Sequence, residues 1–182
     1  MRRSLQLCGV LLFAVMALAG CGDDTMVGAD QQSAAMAVDQ QSVLNTVPFH
    51  AKVQNTIEIV GPPPPPIINA IFPGVGKSSP FGQFNLLATS QIDITVYPFN
   101  QVTQYVLTFR NGDELQCTSV GTGIEDPPGN TVFSGDFTVV GGTGHFSNAT
   151  GSGTYAGSAD VVAGIGQFEM DGVISGFGGP GN

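Results

Sequence analysis

The sequence predicts an all-β fold, an antiparallel closed barrel of about eight strands, and three observations predict it. Gly supplies 26 of 182 residues while only 10% of the chain is charged, a composition poor in the Glu, Lys and Arg that sustain helical bundles. Apolar and polar residues alternate with period two through long stretches from Val47 to Ser175, as in strands with one buried face. Asn111-Gly112 separates two such runs, a strong hairpin signal because a type I′ turn needs positive φ at both central residues. A length of 182 residues suits one folded domain.

The N-terminus carries an address. Met1-Arg2-Arg3 precedes an apolar run from Leu7 to Ala19 and a small-residue exit, the three-part pattern of a secretory signal. The run is shorter than the ~18–20 residues of a spanning helix. Leu18-Ala19-Gly20-Cys21 resembles the bacterial lipobox in all four positions. That resemblance implies cleavage before Cys21, lipid attachment and palmitate-type acylation at Cys21, and, with Gly22 following, sorting to the outer membrane. The division expected is a signal peptide over 1–20, a lipidated tether over 21–45 and a barrel domain over 46–178. Beyond the signal only Lys52, Lys77 and Arg110 stand against fourteen acids, a net charge of −11. Such a chain has no electrostatic means of holding nucleic acid or anionic lipid heads. With Cys8 removed and Cys21 acylated, Cys117 is the one remaining thiol. Flanked by Gln116 and Thr118, it reads as a small strand residue.

The strands follow in order. Phe49, Ala51, Val53, Ile57 and Ile59 alternate with His50, Lys52, Gln54, Thr56 and Glu58. Gly61-Pro62-Pro63-Pro64-Pro65-Pro66 ends that strand in a stiff surface loop over 61–66. Further strands are expected over Phe81 to Tyr97, Tyr105 to Arg110, Asp113 to Val120, Phe133 to Val139, His145 to Ser158 and Gly166 to Ser175. The Gly/Pro-rich stretch Gly121 to Asn130 reads as a loop, and Gly141-Gly142 as a turn. Gly151, Gly153 and Gly157 on one strand face suit curvature of the wall.

Three stretches carry a further likeness: Arg110-Asn111-Gly112-Asp113-Glu114-Leu115, Phe133-Ser134-Gly135-Asp136-Phe137-Thr138-Val139-Val140-Gly141-Gly142-Thr143-Gly144-His145-Phe146, and Ala149-Thr150-Gly151-Ser152-Gly153-Thr154. Together they resemble secreted bacterial proteins related to the allene oxide cyclase and dirigent-type, calycin-like barrel. The resemblance covers roughly Val47 to Ser175. It implies an eight-stranded barrel and carries over no catalytic residue, because fold alone does not transmit function.

Other motifs lead nowhere specific. Pro73-Gly74-Val75-Gly76-Lys77-Ser78 ends like a phosphate-binding loop, but Ile71 stands where its first Gly belongs, so no nucleotide site is expected. His50 and His145 form no ligand pair, and Glu125-Asp126 lacks the alternating carboxylates of an EF-hand, so no metal or other cofactor is expected. Asp113 and Glu114 are adjacent and point to opposite strand faces. The function expected is therefore that of a lipid-anchored, non-catalytic barrel that binds a small apolar ligand or serves an envelope role. An isomerase or cyclase acting on an oxidised lipid-like substrate is the alternative, and a protein-interaction module a third. Polar side chains pointing inward would favour the enzyme; a fully packed interior would leave only the interaction module.

Overall fold

Period-two alternation places one set of side chains inside and the other in water, and the strands meet edge to edge until none is left unpaired. The computed structural model describes residues 46–61 and 66–178. Cys21, the 1–20 segment, the rest of the 21–45 stretch and Pro62 to Pro65 lie outside the described residues. The strands are β1 (Val47–Thr56), β2 (Glu58–Val60), β3 (Ile67–Ser79), β4 (Gly82–Asp93), β5 (Phe99–Phe109), β6 (Glu114–Glu125), β7 (Asn130–Gly142), β8 (Thr150–Asp160) and β9 (Ile165–Ser175). Their order is β1-β9-β8-β7-β6-β5-β4-β3-β2, and β1 also pairs with β3, which closes the sheet. Eight antiparallel strands thus form a barrel, with β2 continuing the line of β1 after a break at Ile57. Closure removes the exposed edges that an open sheet would present.

The strand β3 was not legible as one. No strand was expected over this stretch, which contains Pro73, Gly74 and Gly76, yet it pairs with β4 from Ile67 to Ser78 and with β1 from Gly74 to Ser79. Proline lacks the ladder donor, and Pro73 falls between the β2 and β1 pairings, at the height of the break at Ile57. The missing N–H therefore meets no partner strand on that side. At Gly76 the Phe84 ring covers the backbone so closely that a Cβ would lie 2.4 Å from its Cζ.

Other boundaries move: the strand expected over Phe81 to Tyr97 ends as β4 at Asp93, and the one expected from Tyr105 begins as β5 at Phe99. The strand expected to stop at Val120 continues as β6 to Glu125, leaving only Asp126 to Gly129 as loop. Gly121 and Gly123 face inward there, and the Tyr155 hydroxyl and the Phe99 ring occupy the space their side chains would need. The Asn111-Gly112 connection is a hairpin of another type. Gly112 N donates to Phe109 O at 3.0 Å, Phe109 N donates to Asp113 O at 2.9 Å, and Gly112 has φ +88°. This is a three-residue loop, a tight turn followed by a left-handed Gly, in place of the two-residue type I′ turn. A 3-10 turn at Gly144–Phe146, not a strand, follows β7, and β8 starts only at Thr150. Gly153 supports the curvature reading: a Cβ there would lie 2.1 Å from Asp171 O on β9.

The interior is packed at one end. Phe81 meets Phe146 at 5.0 Å, Phe177 at 5.3 Å and Phe109 at 6.1 Å between centroids, all edge-on. Phe49 links this plug to Phe137 on the far wall at 6.1 Å. Edge-on aromatic pairs of this kind add stability beyond their area burial. Phe49 is 1% exposed, so Phe49→Ala is expected to cost about 3–5 kcal/mol. Urea unfolding followed by far-UV circular dichroism measures it, and a loss below about 1 kcal/mol would contradict this packing.

A one-ended cavity as candidate functional site

The motif residues that suggested the fold come together at the plugged end. Asp113 accepts from His145 Nδ1 at 2.7 Å, from His145 N at 3.2 Å and from Asn111 Nδ2 at 2.7 Å. Its carboxylate lies against Gly144, where any Cβ would overlap it and where φ is +55°. Thr143 answers from the other chain segment: its N donates to Glu114 O at 2.8 Å and its Oγ1 accepts from Glu114 N at 2.9 Å. The hairpin 110–113 and the Gly-Gly-Thr-Gly-His-Phe run are thus one clamp that seats Phe146 beneath the barrel. The hydrogen bonds from His145 first, and then that from Asn111, hold the Asp113 carboxyl below its ordinary value of 3.8.

The opposite end is open. The ends of β1, β4, β6 and β8 and the starts of β3, β5, β7 and β9 surround a cavity of about 430 Å³. That volume falls within the ~300–1,000 Å³ of small-molecule sites. Ile57, Ile68, Phe72, Ile92, Phe99 and Phe133 give it an apolar wall. Phe99 can fold inward because Gly123 on the neighbouring strand leaves room for its ring.

The floor is polar. Ser90, Gln101, Thr103 and Ser119 are buried, on β4, β5 and β6. Ser90 Oγ lies 2.9 Å from Thr103 Oγ1, the Tyr105 hydroxyl 3.0 Å from Ser119 Oγ, and Gln101 Nε2 donates to the Tyr155 hydroxyl at 2.7 Å. Each of these inward-facing side chains has at least one partner, as burial requires. Burial pushes the Tyr105 phenol far above its ordinary value of 10.0, so it stays protonated and serves as a hydrogen-bonding group at neutral pH. The interior is thus neither fully packed nor a ring of acids and bases: it is a packed plug, a polar floor and an apolar throat.

No His, Cys, Lys, Arg or Asp lines this cavity among the described residues, and its one carboxylate is Glu125 at the rim. Cys117 faces the core from β6 at 1% exposure, and burial pushes its thiol up to about 12. The three described cations lie elsewhere, along an open depression of about 870 Å³ on the outer wall that also includes Gln54 and Glu169. There Lys52 pairs with Glu169 at 2.7 Å and Arg110 donates to Gln83. The depression is larger than the mouth cavity, and its lining mixes exposed side chains such as Lys52, Gln54 and Lys77 with the buried Val53, Phe84, Phe109 and Phe168.

Sequence spacing gave no metal site, yet the β1–β9 register brings His50, Glu169 and Asp171 together on the outer face. His50 Nδ1 already contacts Asp171 at 2.5 Å, and Glu169 holds Lys52. Those side chains are mutually engaged. Cross-strand neighbours 121 residues apart leave no signal in local spacing. The same holds for the polar floor, whose members come from β4, β5, β6 and β8.

Comparison of the chain with protein families, with curated proteins and with solved structures found no match.

Two measurements test this account. In the folded chain Cys117 should resist a maleimide at about pH 8 and react on unfolding, since a thiol near 12 offers little thiolate. The Asp113 carboxylate, with its lowered folded value, contributes stability that is fully present above its unfolded value near 3.8 and is lost as pH falls through the lower folded value. The melting temperature of Asp113→Asn should therefore lie below that of the parent chain at neutral pH. The two should converge in acid, as thermal melts across that range would show.

Proposed function

We propose that this chain is a lipid-anchored protein of the bacterial envelope that holds one small apolar molecule in the mouth of its barrel and does not transform it. The observation that carries the reading is the one-ended interior: a plugged base, a polar floor and an apolar throat of about 430 Å³ open to solvent. Burial of an apolar ligand there is driven by the ~25 cal/mol per Å² of apolar surface withdrawn from water. Absence of catalysis is inferred from the lining. The polar floor is the feature expected of an enzyme, but general acid–base chemistry needs a positioned acid or base, and Glu125 at the rim is the one carboxylate among the lining residues.

Anchoring rests on Leu18-Ala19-Gly20-Cys21, with the lipid on Cys21 and the outer membrane as destination. More than one acyl chain makes such attachment stable. Val47 starts β1 at the plugged end, so a tether from Cys21 would reach the barrel on the side away from the mouth. The family reading is an allene oxide cyclase-like barrel put to use as a binding protein. The cyclase alternative draws on the same floor, where the Gln101 amide and the Tyr155 hydroxyl would hold a substrate oxygen.

Binding of the uncharged dye Nile red to the folded chain tests the cavity. Thr131→Trp places an indole at the mouth, beside Glu125 and Ala159 in the sheet register. It should weaken dye binding at least about tenfold, which corresponds to ~1.4 kcal/mol, while leaving the circular dichroism spectrum unchanged. Undiminished binding would place the dye elsewhere. For the anchor, Cys21→Ser should abolish palmitate labelling and release the chain from membranes; labelling that persists would refute lipidation there.

A further inference from the structure

Gln101 sets apart the inner end of the throat. Its side chain is 9% exposed, and one end of its carboxamide meets the Tyr155 hydroxyl at 2.7 Å. The other end has no protein partner among the described residues and lines the cavity. The neighbouring polar groups are already occupied with one another, Ser90 with Thr103 and Tyr105 with Ser119. An amide is nearly symmetric in shape, so its oxygen and nitrogen ends can exchange places. One hydrogen-bonding valence is therefore left open at the bottom of an otherwise apolar throat.

Charge limits what can meet it. Glu58, Asp93, Glu125, Asp126 and Asp160 stand around the mouth, and no Lys, Arg or His does so among the described residues. The field at the entrance is negative, which lowers the local concentration of anions. At the floor a carboxylate would lose its hydration and gain no cation, a cost that hydrogen bonds from an amide and hydroxyls do not offset. An uncharged hydroxyl loses much less. It also donates and accepts, so it can match either face of the Gln101 amide.

We infer that the cavity selects amphiphiles with an uncharged hydrogen-bonding head, of the long-chain alcohol class, which enter head first to reach Gln101, and rejects the corresponding carboxylates. This rests on the reading of the mouth as a ligand site and adds the ligand's chemistry and orientation to it. Gln101 acts as the specificity-determining residue. The wall of Ile and Phe supplies affinity that any alkyl chain would share.

The experiment is displacement of Nile red from the full chain at neutral pH by octanol, octanoate and octylamine, three ligands with one alkyl length. Octanol is expected to displace the dye at a concentration at least about tenfold lower than octanoate. Gln101→Leu, which removes the amide, should erase most of the octanol advantage, read as the ratio of octanol to octanoate displacement against the variant's own Nile red affinity. Nile red binding with octanoate equal to or better than octanol would leave the binding cavity standing and overturn the selectivity. An octylamine preference would do the same, moving recognition to Glu125 at the rim. An unchanged octanol advantage in Gln101→Leu would overturn the role of Gln101. If neither dye nor octanol binds, the ligand-site reading itself fails along with the inference.

Discussion

The pairing of β1 with β3 is the contact on which everything else depends. It spans six register partners, from His50↔Ser79 to Asn55↔Gly74, against ten between β1 and β9. Without it the sheet would be an open ribbon with two edges, and neither a plug nor a throat would exist. Closure is possible because β3 offers Gly74 and Gly76, where a Cβ would lie 2.5 Å from Gln54 O and 2.4 Å from the Phe84 ring. The price of that close approach is a strand with weak intrinsic preference for being one. Pairing on both sides holds it in place.

Within the closed wall, large rings and missing side chains are matched across strands. Tyr155 lies over Gly121, Phe99 over Gly123 and Phe84 over Gly76. At the plugged end the rings are numerous enough to exclude a cavity, with Phe81 surrounded by Phe49, Phe109, Phe146 and Phe177. Toward the mouth Phe72, Phe99 and Phe133 stand with Ile57, Ile68 and Ile92 around the wall, and space remains between them. The division between a stability end and a binding end follows from that distribution. The Asp113–His145 clamp belongs to the first; Gln101 and Tyr155 face the second.

The hairpin 110–113 and the run 143–146 belong to the first of these two ends. Asp113, Thr143, Gly144 and Phe146 close the base of the barrel through hydrogen bonds and packing. Of the stretches 110–115, 133–146 and 149–154, Phe133 alone lines the cavity among the described residues.

The sequence by itself determined the all-β class, the alternating sets from Phe49 to Val53 and from Phe133 to Val139, the position of the 110–113 hairpin and the strand position of Cys117. All of these follow from period-two alternation and local turn chemistry, which act between residues close in the chain. The tertiary structure alone decided that Ile67 to Ser79 is a strand, that β6 continues through Gly121 and Gly123, and that Ser90, Gln101, Tyr105 and Tyr155 form one polar floor. In each case the stabilising partner lies on another strand: Phe84 for Gly76, Phe99 for Gly123, and Tyr155, 54 residues away, for Gln101. Spacing along one strand specifies which face a side chain takes. Which side chains meet across the barrel is set by register and closure.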